Sequence, residues 1–224
     1  MVLPLGSGRR CEGVVCITGL PDDQLPDAPT VRSWARLARR AGVALRGART
    51  LQKARSLAVH DELTRLPNRR AFERALSREL ERARRSGTRL VVGLFDVDHF
   101  KSFNDRYGHA VGDTVLQEVA RRLQTAFRET DLVTRWGGEE FAVLLPGLEA
   151  GEDARPKDLM ERGWGALRAR PFQLGDGLAP TRVTASGGFA VFPVDAVAPD
   201  DLLRLADEAL YESKEAGRDR VTGA

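Results

Sequence analysis

The feature that most constrains this chain is a pair of glycines, Gly137 and Gly138, between two strand-like runs at 132–136 and 141–145. A two-residue Gly-Gly connection predicts a β-hairpin, because glycine readily adopts the positive φ angles that such turns require. Two glutamates follow at once, although glutamate is uncommon in hairpin turns. These acids are either solvated side chains on a tight turn or ligands of a divalent cation beside exposed backbone.

Hydrophobic periodicity predicts further elements around this hairpin. An apolar run at 90–98 ends in two aspartates, which is typical of a buried strand that delivers carboxylates to a sheet edge. We expect helices at 68–87, 99–107, 152–169 and 200–216, a loop at 108–113 followed by a long amphipathic helix, and a strand at 181–192. This order predicts an α+β fold of the ferredoxin-like or palm type, βααββαβ, with an antiparallel-containing sheet flanked by helices on one face.

Residues 1–59 differ from the rest of the chain, with ten Lys or Arg against four Asp or Glu. Basic tails often bind nucleic acid. Here, however, the arginines alternate with apolar residues at helical spacing, which favours a solvated helix face over a nucleic-acid surface. The apolar positions step by three and four, as in a coiled-coil seam: Val31, Trp34, Ala38, Ala41, Leu45 and Ala48. We therefore expect 1–59 to form a short strand at 11–20, a loop at 21–29 and a long dimerising helix from Thr30, as at the end of a GAF-like sensory domain.

Several classes of protein are disfavoured. No apolar run approaches the length of a membrane span, and the first residues are too short and broken for a signal peptide. Cys11 and Cys16 lack metal-ligand companions, which indicates two buried reduced thiols and a cytoplasmic setting. His60, His99 and His109 also lack metal-ligand spacing.

The expected topology brings the acidic strand end beside the glycine hairpin. Asp96 and Glu139 can then meet at one end of the sheet, with the main-chain carbonyl of Val97 as a third hard-oxygen ligand. Magnesium takes few protein carboxylates and fills its other positions with water and phosphate. Two such ions can activate an attacking hydroxyl and stabilise a leaving pyrophosphate.

Three cations could contact phosphate near these acids. Lys101 follows the acidic strand, and Lys214 and Arg218 come at the end of the last helix. Each of them, taken alone, is more often a simple surface charge.

Together these motifs resemble those of the GGDEF-domain diguanylate cyclases. Gly137-Gly138-Glu139-Glu140-Phe141 resembles the family signature in its Glu variant. The other segments that resemble family motifs are His60-Asp61, Leu63-Thr64 and residues 66–70 near the start, residues 96–101 with Asn104-Asp105, Gly108-His109 and Gly112-Asp113 in the middle, and Ala206-Asp207, residues 209–211, Lys214 and Gly217-Arg218 at the end. The resemblance implies a GGDEF domain at 60–224, preceded by the segment 1–59.

The resemblance implies a reaction in which two GTP molecules become cyclic di-GMP and two pyrophosphates. The 3′-hydroxyl of each GTP would attack the α-phosphate of the other. Asp96, the carbonyl of Val97 and Glu139 would hold two Mg²⁺ or Mn²⁺ ions per active site. Glu139 would also deprotonate the hydroxyl, and Glu140 would assist at the metal.

The resemblance also assigns the nucleotide contacts. Asn104 and Asp113 would read the guanine edge, whose donors and acceptors suit an amide and a carboxylate. His109 would lie near the base or ribose. The phosphates would be held by Phe100, Lys101, Lys214 and Arg218, with Gly137 and Gly138 giving clearance for the nucleotide.

A second site is implied at Arg128 and Asp131, whose spacing resembles the RxxD product-inhibition site of the family. Arginine would fork onto guanine or phosphate, and aspartate would accept from guanine N–H groups. An RxxD pattern alone is weak, since an arginine at a helix end beside a strand is common. Its position just before the glycine pair favours a true cyclic di-GMP site.

Because one domain holds one GTP, the reaction implies a homodimer, with the N-terminal helix setting the angle between the domains. A catalytically silent cyclic di-GMP receptor is one alternative, and another nucleotidyl cyclase is a second. Three positions depart from the family pattern: Arg65, where glycine is frequent, Gly188, where an apolar residue is usual, and Asp219, where asparagine is frequent.

Overall fold

The computed structural model describes residues 2–7, 10–18, 26–57, 59–149, 155–175 and 177–224. The chain folds into two compact units, Met1–Ala58 and Val59–Ala224. None of the described helices is long and apolar enough to cross a membrane.

The first unit consists of a hairpin and a long helix. Strands β1 (Val2–Ser7) and β2 (Arg10–Cys16) pair antiparallel, and α1 spans Ala28–Leu57. The single strand expected at 11–20 is therefore half of a hairpin. The loop expected at 21–29 lies largely outside the described residues.

One face of α1 is covered by the hairpin of its own unit. Ala38 is buried there, and a Cβ at Gly42 would overlap the backbone of Leu5 and Gly6. Part of the expected coiled-coil seam is thus occupied within the chain. Cys16 is exposed, so the expectation of two buried thiols is wrong for this residue.

The second unit is built on a five-stranded sheet in the order β4-β5-β3-β6-β7. Its strands are β3 (Arg89–Val97), β4 (Leu132–Gly137), β5 (Glu140–Leu148), β6 (Ala185–Phe192) and β7 (Val221–Gly223). The first three pairings are antiparallel, and β6 pairs with β7 in parallel. The predicted α+β fold is confirmed, and β3 is its central strand.

Among the described residues of this unit, five helices flank the sheet: α2 (Arg69–Ser86), α3 (Phe100–Tyr107), α4 (His109–Ala126), α5 (Pro156–Arg168) and α6 (Pro199–Glu215). They lie on both faces, so the expectation of one covered face is wrong. Val91 and Phe95 of β3 pack into a cluster with α4 and α5 residues, whereas Leu90 and Val92 pack with α2 and α6 residues. A strand that is apolar on both sides needs cover on both sides.

Local signals in the sequence fix several boundaries. Asn68 caps α2, since its side chain accepts from the Ala71 N–H at 3.2 Å, and Gly87 ends it with φ 68°. Gly188 is explained by helix packing, because a Cβ there would overlap the backbone of Leu210 and Ala206 in α6. An apolar side chain would push α6 off the sheet.

Candidate active site

The acids of the candidate site lie where β3 ends beside the start of β5. Asp96 and Glu140 are directly paired across the antiparallel strands. The Val97 N–H donates to the Glu139 carbonyl at 3.3 Å. The structure therefore brings Asp96, Val97, Glu139 and Glu140 together at one sheet edge, as the topology argument requires.

The turn between β4 and β5 is shifted by one residue from the expected position. Gly137 pairs with Glu140, after a register shift that follows Arg135, so the turn residues are Gly138 and Glu139. Gly138 has φ 52°, which explains its glycine. A Cβ added at Gly137 or Gly138 would have no described protein atom within 4 Å, which leaves open space above the turn.

The guanidinium of Arg135 holds this turn in place. Its Nε and Nη2 donate to the Gly138 carbonyl at 3.1 and 2.7 Å. Its Nη1 donates to the Asp61 carboxylate at 3.0 and 3.1 Å. The predicted sites omitted both Asp61 and Arg135, because 74 residues separate them and no local pattern joins them.

The surroundings of Asp96 and Glu140 disfavour the ionised form of both side chains. Burial raises the pKa of Asp96, although Lys214 Nζ, 2.9 Å from its Oδ2, acts in the opposite sense. Burial also raises the pKa of Glu140, and the nearby charges of Asp96, Asp207 and Glu139 add to this. Burial is the main cause of both shifts, and like charges add to it.

Such an edge fits a divalent cation. In the part of the chain that the structure describes, no three His, Cys, Asp or Glu side chains converge into a metal cage of their own. Magnesium needs no such cage, because it keeps waters and binds substrate phosphate beside one or two carboxylates. The hard-oxygen donors of Asp96, Glu139 and Glu140 match that requirement.

Asp98 has a different environment from Asp96. Its carboxylate is buried and accepts from Ser186 Oγ and Thr184 Oγ1, each at 2.7 Å, and from the Asp219 N–H at 3.2 Å. The Asp98 N–H donates to the Thr184 carbonyl at 2.9 Å. The spacing Asp-x-Asp did not reveal that only the first aspartate faces the site.

Two kinds of phosphate contact are available at α3, from the main chain of Phe100 and from the side chain of Lys101. The Phe100 ring is buried in the core, so this residue can offer phosphate only its main-chain N–H. Lys101 is exposed. His99 precedes the helix with φ 56° and makes no side-chain capping bond, and the first N–H groups of a helix have no intrahelical acceptor. An anion fits that position.

The expected guanine contacts lie on two helices rather than a loop. His109 is the first residue of α4, so the loop expected at 108–113 is wrong, and Asp113 follows one turn later. Asn104 Oδ1 is buried with no hydrogen-bond partner among the described residues. Gly112 permits this packing, since a Cβ there would overlap Asn104 Oδ1.

The C-terminal cations are carried by the end of α6 and the turn after it. Lys214 lies in the last turn of α6, where it pairs with Asp96. Arg218 is half-buried and has φ 63°, and Asp219 follows with φ 49°. Arg168 Nε lies 3.3 Å from Asp219 Oδ1, an ion pair without hydrogen-bond geometry. That pair accounts for an acid at this position.

The expected product site is a closed loop between α4 and β4. The Arg128 N–H donates to Asp131 Oδ2 at 2.9 Å, and the Asp131 N–H donates to the Arg128 carbonyl at 3.0 Å. Burial raises the pKa of Asp131. The Arg128 residue is exposed. Arg162 of α5, absent from the predicted sites, places Nη2 4.0 Å from Asp131 Oδ2.

The chain is similar to known proteins over the whole second unit. The family described as "Diguanylate cyclase, GGDEF domain" matches residues 58–220. Diguanylate cyclase DgcP of Pseudomonas aeruginosa is 42% identical over 173 residues, which cover 76% of this chain and 25% of the relative. Diguanylate cyclase TpbB of the same species is 44% identical over 161 residues, which cover 72% of this chain and 36% of the relative. The chain therefore spans a quarter to about a third of the length of these relatives.

Solved structures show the same fold. The GGDEF domain of PA1120 (TpbB or YfiN) from Pseudomonas aeruginosa matches with a TM-score of 0.69 and 42% identity, over 74% of this chain and 94% of that one. The coiled coil and GGDEF domain of DgcB from Caulobacter crescentus, solved in complex with c-di-GMP, matches with a TM-score of 0.67 and 34% identity. That match covers 85% of this chain and 98% of the other.

Proposed function

The chain belongs to the GGDEF-domain diguanylate cyclase family, and we propose that it condenses two GTP molecules into cyclic di-GMP and two pyrophosphates. The observation that carries this proposal is the pairing of Asp96 with Glu140 at the open edge beside the Gly138 turn. The backbone register thus supports the proposal, because it brings Asp96 and Glu140 together and places Glu139 in the adjoining turn.

Asp96, the carbonyl of Val97 and Glu139 would hold the Mg²⁺ or Mn²⁺ ions. When bound, such ions lower the pKa of an attacking hydroxyl and neutralise charge on a leaving pyrophosphate. Glu139 is the proposed proton acceptor, because it lies in the turn itself, half-buried. Glu140, paired with Asp96 across β3 and β5, assists at the metal.

The remaining side chains would bind and orient GTP. Lys101 and the first N–H groups of α3 would bind phosphate oxygens, as would Lys214 and Arg218 at the end of α6 and in the turn after it. Asn104 and Asp113 bond the guanine edge, with His109 near the base or ribose. The orphaned Asn104 Oδ1 supports this assignment, since a buried polar atom without a partner is costly unless a ligand supplies one.

Condensation requires two domains face to face, so we propose a homodimer formed through α1. The hairpin covers the face of α1 that carries Ala38 and Gly42, so we place the dimer contact on the neighbouring face of the helix. An adjacent stripe repeats at heptad spacing, here called the α1 stripe: Trp34, Leu37, Ala41, Ala44 and Ala48. Apart from half-buried Trp34, these residues are exposed, and the stripe offers small and apolar side chains for close helix packing.

Arg128 and Asp131 are proposed to bind cyclic di-GMP and to lower turnover. Asp131 is anchored by its own loop, which leaves the Arg128 guanidinium to reach a ligand. The same residues would serve the alternative function, a catalytically silent receptor. The acids and cations at the sheet edge favour the enzyme, because a receptor would not need them.

Incubation of the protein with GTP and Mg²⁺, followed by chromatography, tests the activity. The expected product is cyclic di-GMP, and Glu139→Gln is expected to lower turnover at least a hundredfold while the protein stays folded. If only bound, unconverted nucleotide is recovered at high protein concentration, the enzyme proposal fails. Binding of added cyclic di-GMP in that case would favour the receptor. A cyclic product that contains other bases would favour a different nucleotidyl cyclase.

A further inference from the structure

Asp98 is a buried acid that the proposed reaction does not use. The residue is 7% exposed. Among the described residues, no Lys, Arg or His forms an ion pair with it, and nearby Lys214 pairs with Asp96 instead. Three donors meet its carboxylate: the hydroxyls of Thr184 and Ser186 and the N–H of Asp219. A buried carboxylate without a cation is costly, and several hydrogen bonds offset that cost.

The Asp219 N–H belongs to an unfavourable turn. Arg218 and Asp219 adopt left-handed φ angles of 63° and 49° in succession, which side chains other than glycine rarely do. Such backbone persists only where the surroundings hold it. The turn is held at one end by the Arg218 N–H, which donates to the Ser213 carbonyl at 2.9 Å. At the other end the Arg220 carbonyl accepts from Gly187 at 2.8 Å.

Asp98 provides the bond in the middle of this turn, beside Arg218. It is also two residues beyond Asp96 on the same strand end. One side chain therefore connects the strand that carries the metal-site acid with the turn that carries the phosphate cation. Ser186 and Thr184 extend the connection to the start of β6.

We propose that Asp98 is a positioning residue that holds Arg218 in place to bind the GTP triphosphate. This inference rests on the proposed function and deepens it. Asp98 does not contact substrate. It acts by fixing the left-handed turn, so that Arg218 is preorganised relative to Asp96 before GTP binds. Groups that orient a ligand-binding residue in this way commonly matter nearly as much as the residue itself.

Asp98→Asn tests the proposal. The amide keeps the size of the side chain, but its NH₂ group cannot accept, so at least one of the three donors loses its acceptor. We expect the KM for GTP to rise about tenfold with a much smaller change in kcat. The change should depend on Arg218. In an Arg218→Ala background, adding Asp98→Asn should raise KM less than about twofold. If the rise in KM of the double variant equals the product of the rises in the two single variants, the proposal is wrong.

Thr184→Val provides a second route if Asp98→Asn does not fold. It removes one hydroxyl donor and leaves the acid in place. We expect a rise in KM of about threefold, which again disappears with Arg218→Ala. Asp158→Asn, an exposed acid of α5, is the matched control and should leave KM unchanged. An unchanged KM in Thr184→Val and Asp98→Asn alike would overturn the proposal.

The same variants can be compared by calorimetric titration with GTP in the presence of Mg²⁺ at low temperature. The affinities should follow the KM pattern and depend on Arg218. This readout separates the two claims. A wild type that binds GTP but forms no cyclic product refutes the cyclase activity, and additive affinity losses in the double variant refute the positioning role.

Discussion

Arg135 and Asp61 form an ion pair that fixes the glycine turn. Nη1 of Arg135 lies 3.0 and 3.1 Å from the two carboxylate oxygens of Asp61, and the same guanidinium donates twice to the Gly138 carbonyl. Although burial acts to raise it, hydrogen bonds from Thr64 and Arg135 hold the pKa of Asp61 below its ordinary value. The turn is thereby anchored to the first residues of the second unit.

Arg135→Lys should loosen this anchor. A lysine ammonium cannot reach both the carboxylate and the carbonyl with forked geometry. We expect a loss of about 1–2 kcal/mol in the free energy of unfolding, measured by urea titration, and a turnover at least tenfold lower. Arg204→Lys is the control. It replaces the forked contact of an exposed ion pair on α6 by a lysine contact and should leave the free energy of unfolding nearly unchanged. Equal effects of the two substitutions would contradict the anchoring role.

The sequence predicted those parts of the fold that have strong local signals. Periodicity predicts the strand β3, which ends in acids, and Asn68 and Gly87 predict the ends of helix α2. The pairing of β3 with the hairpin follows from the expected topology. The turn position did not, because Gly137 and Gly138 are equally permissive and a register shift after Arg135 selects the second. Strand β7 has three residues, too few for a periodic pattern.

The candidate residues that the sequence did not indicate were missed for one physical reason. Arg135, Arg162 and Asp98 contact partners far away in sequence, so no local spacing identifies them. For a similar reason, the sequence did not show that Ala38 of the expected α1 seam is covered. Helical spacing gives two adjacent apolar stripes, and only the hairpin packed on Ala38 and Gly42 reveals which of them is already covered.

Glu140→Gln should stabilise the metal-free protein at neutral pH. The folded pKa of Glu140 is raised above its ordinary 4.5, so the folded state keeps this proton to higher pH than the unfolded chain. Ionisation of Glu140 therefore costs stability as pH rises from 4.5 through the folded pKa. Removing the charge should raise the midpoint of thermal unfolding at pH 7 but not at pH 4. Addition of Mg²⁺ and GTP should reduce the difference in midpoint between Glu140→Gln and the wild type. A midpoint of Glu140→Gln below that of the wild type at pH 7 would contradict the destabilising effect of the Glu140 charge.

Gly112→Ala should weaken GTP binding by displacing Asn104. The new Cβ would overlap Asn104 Oδ1 and would lie 3.2 Å from Phe100 Cζ. We expect the KM for GTP to rise about tenfold, with a smaller rise for inosine triphosphate, which lacks the guanine amino group. Gly165→Ala in α5 is the control, because no described side chain lies near its Cβ. It should keep KM and add up to about 1 kcal/mol of stability.

Arg162→Ala should relieve product inhibition without lowering turnover. Its guanidinium lies 4.0 Å from Asp131, so a guanine held by Asp131 would lie within its reach. We expect the inhibition constant for cyclic di-GMP to rise about tenfold, as for Arg128→Ala, while the initial rate without product stays constant. Arg182→Ala, an exposed arginine before β6, should leave inhibition unchanged. Inhibition as strong as in the wild type for Arg162→Ala would exclude it from the site.

Leu37→Arg should disrupt the proposed dimer, and Val43→Arg provides a close control. The two residues are 62% and 63% exposed on the same helix, so each substitution adds one charge at an equally accessible position. Leu37 belongs to the α1 stripe, whereas Val43 lies on the side that carries the arginines. In sedimentation experiments we expect Leu37→Arg to weaken dimerisation at least a hundredfold, since a charge in a packed helix seam has no partner. Val43→Arg should sediment like the wild type.

Because each proposed active site needs a second domain, the rate per Leu37→Arg molecule should become proportional to protein concentration. If both variants dimerise equally well, α1 pairs through another face or the dimer forms elsewhere.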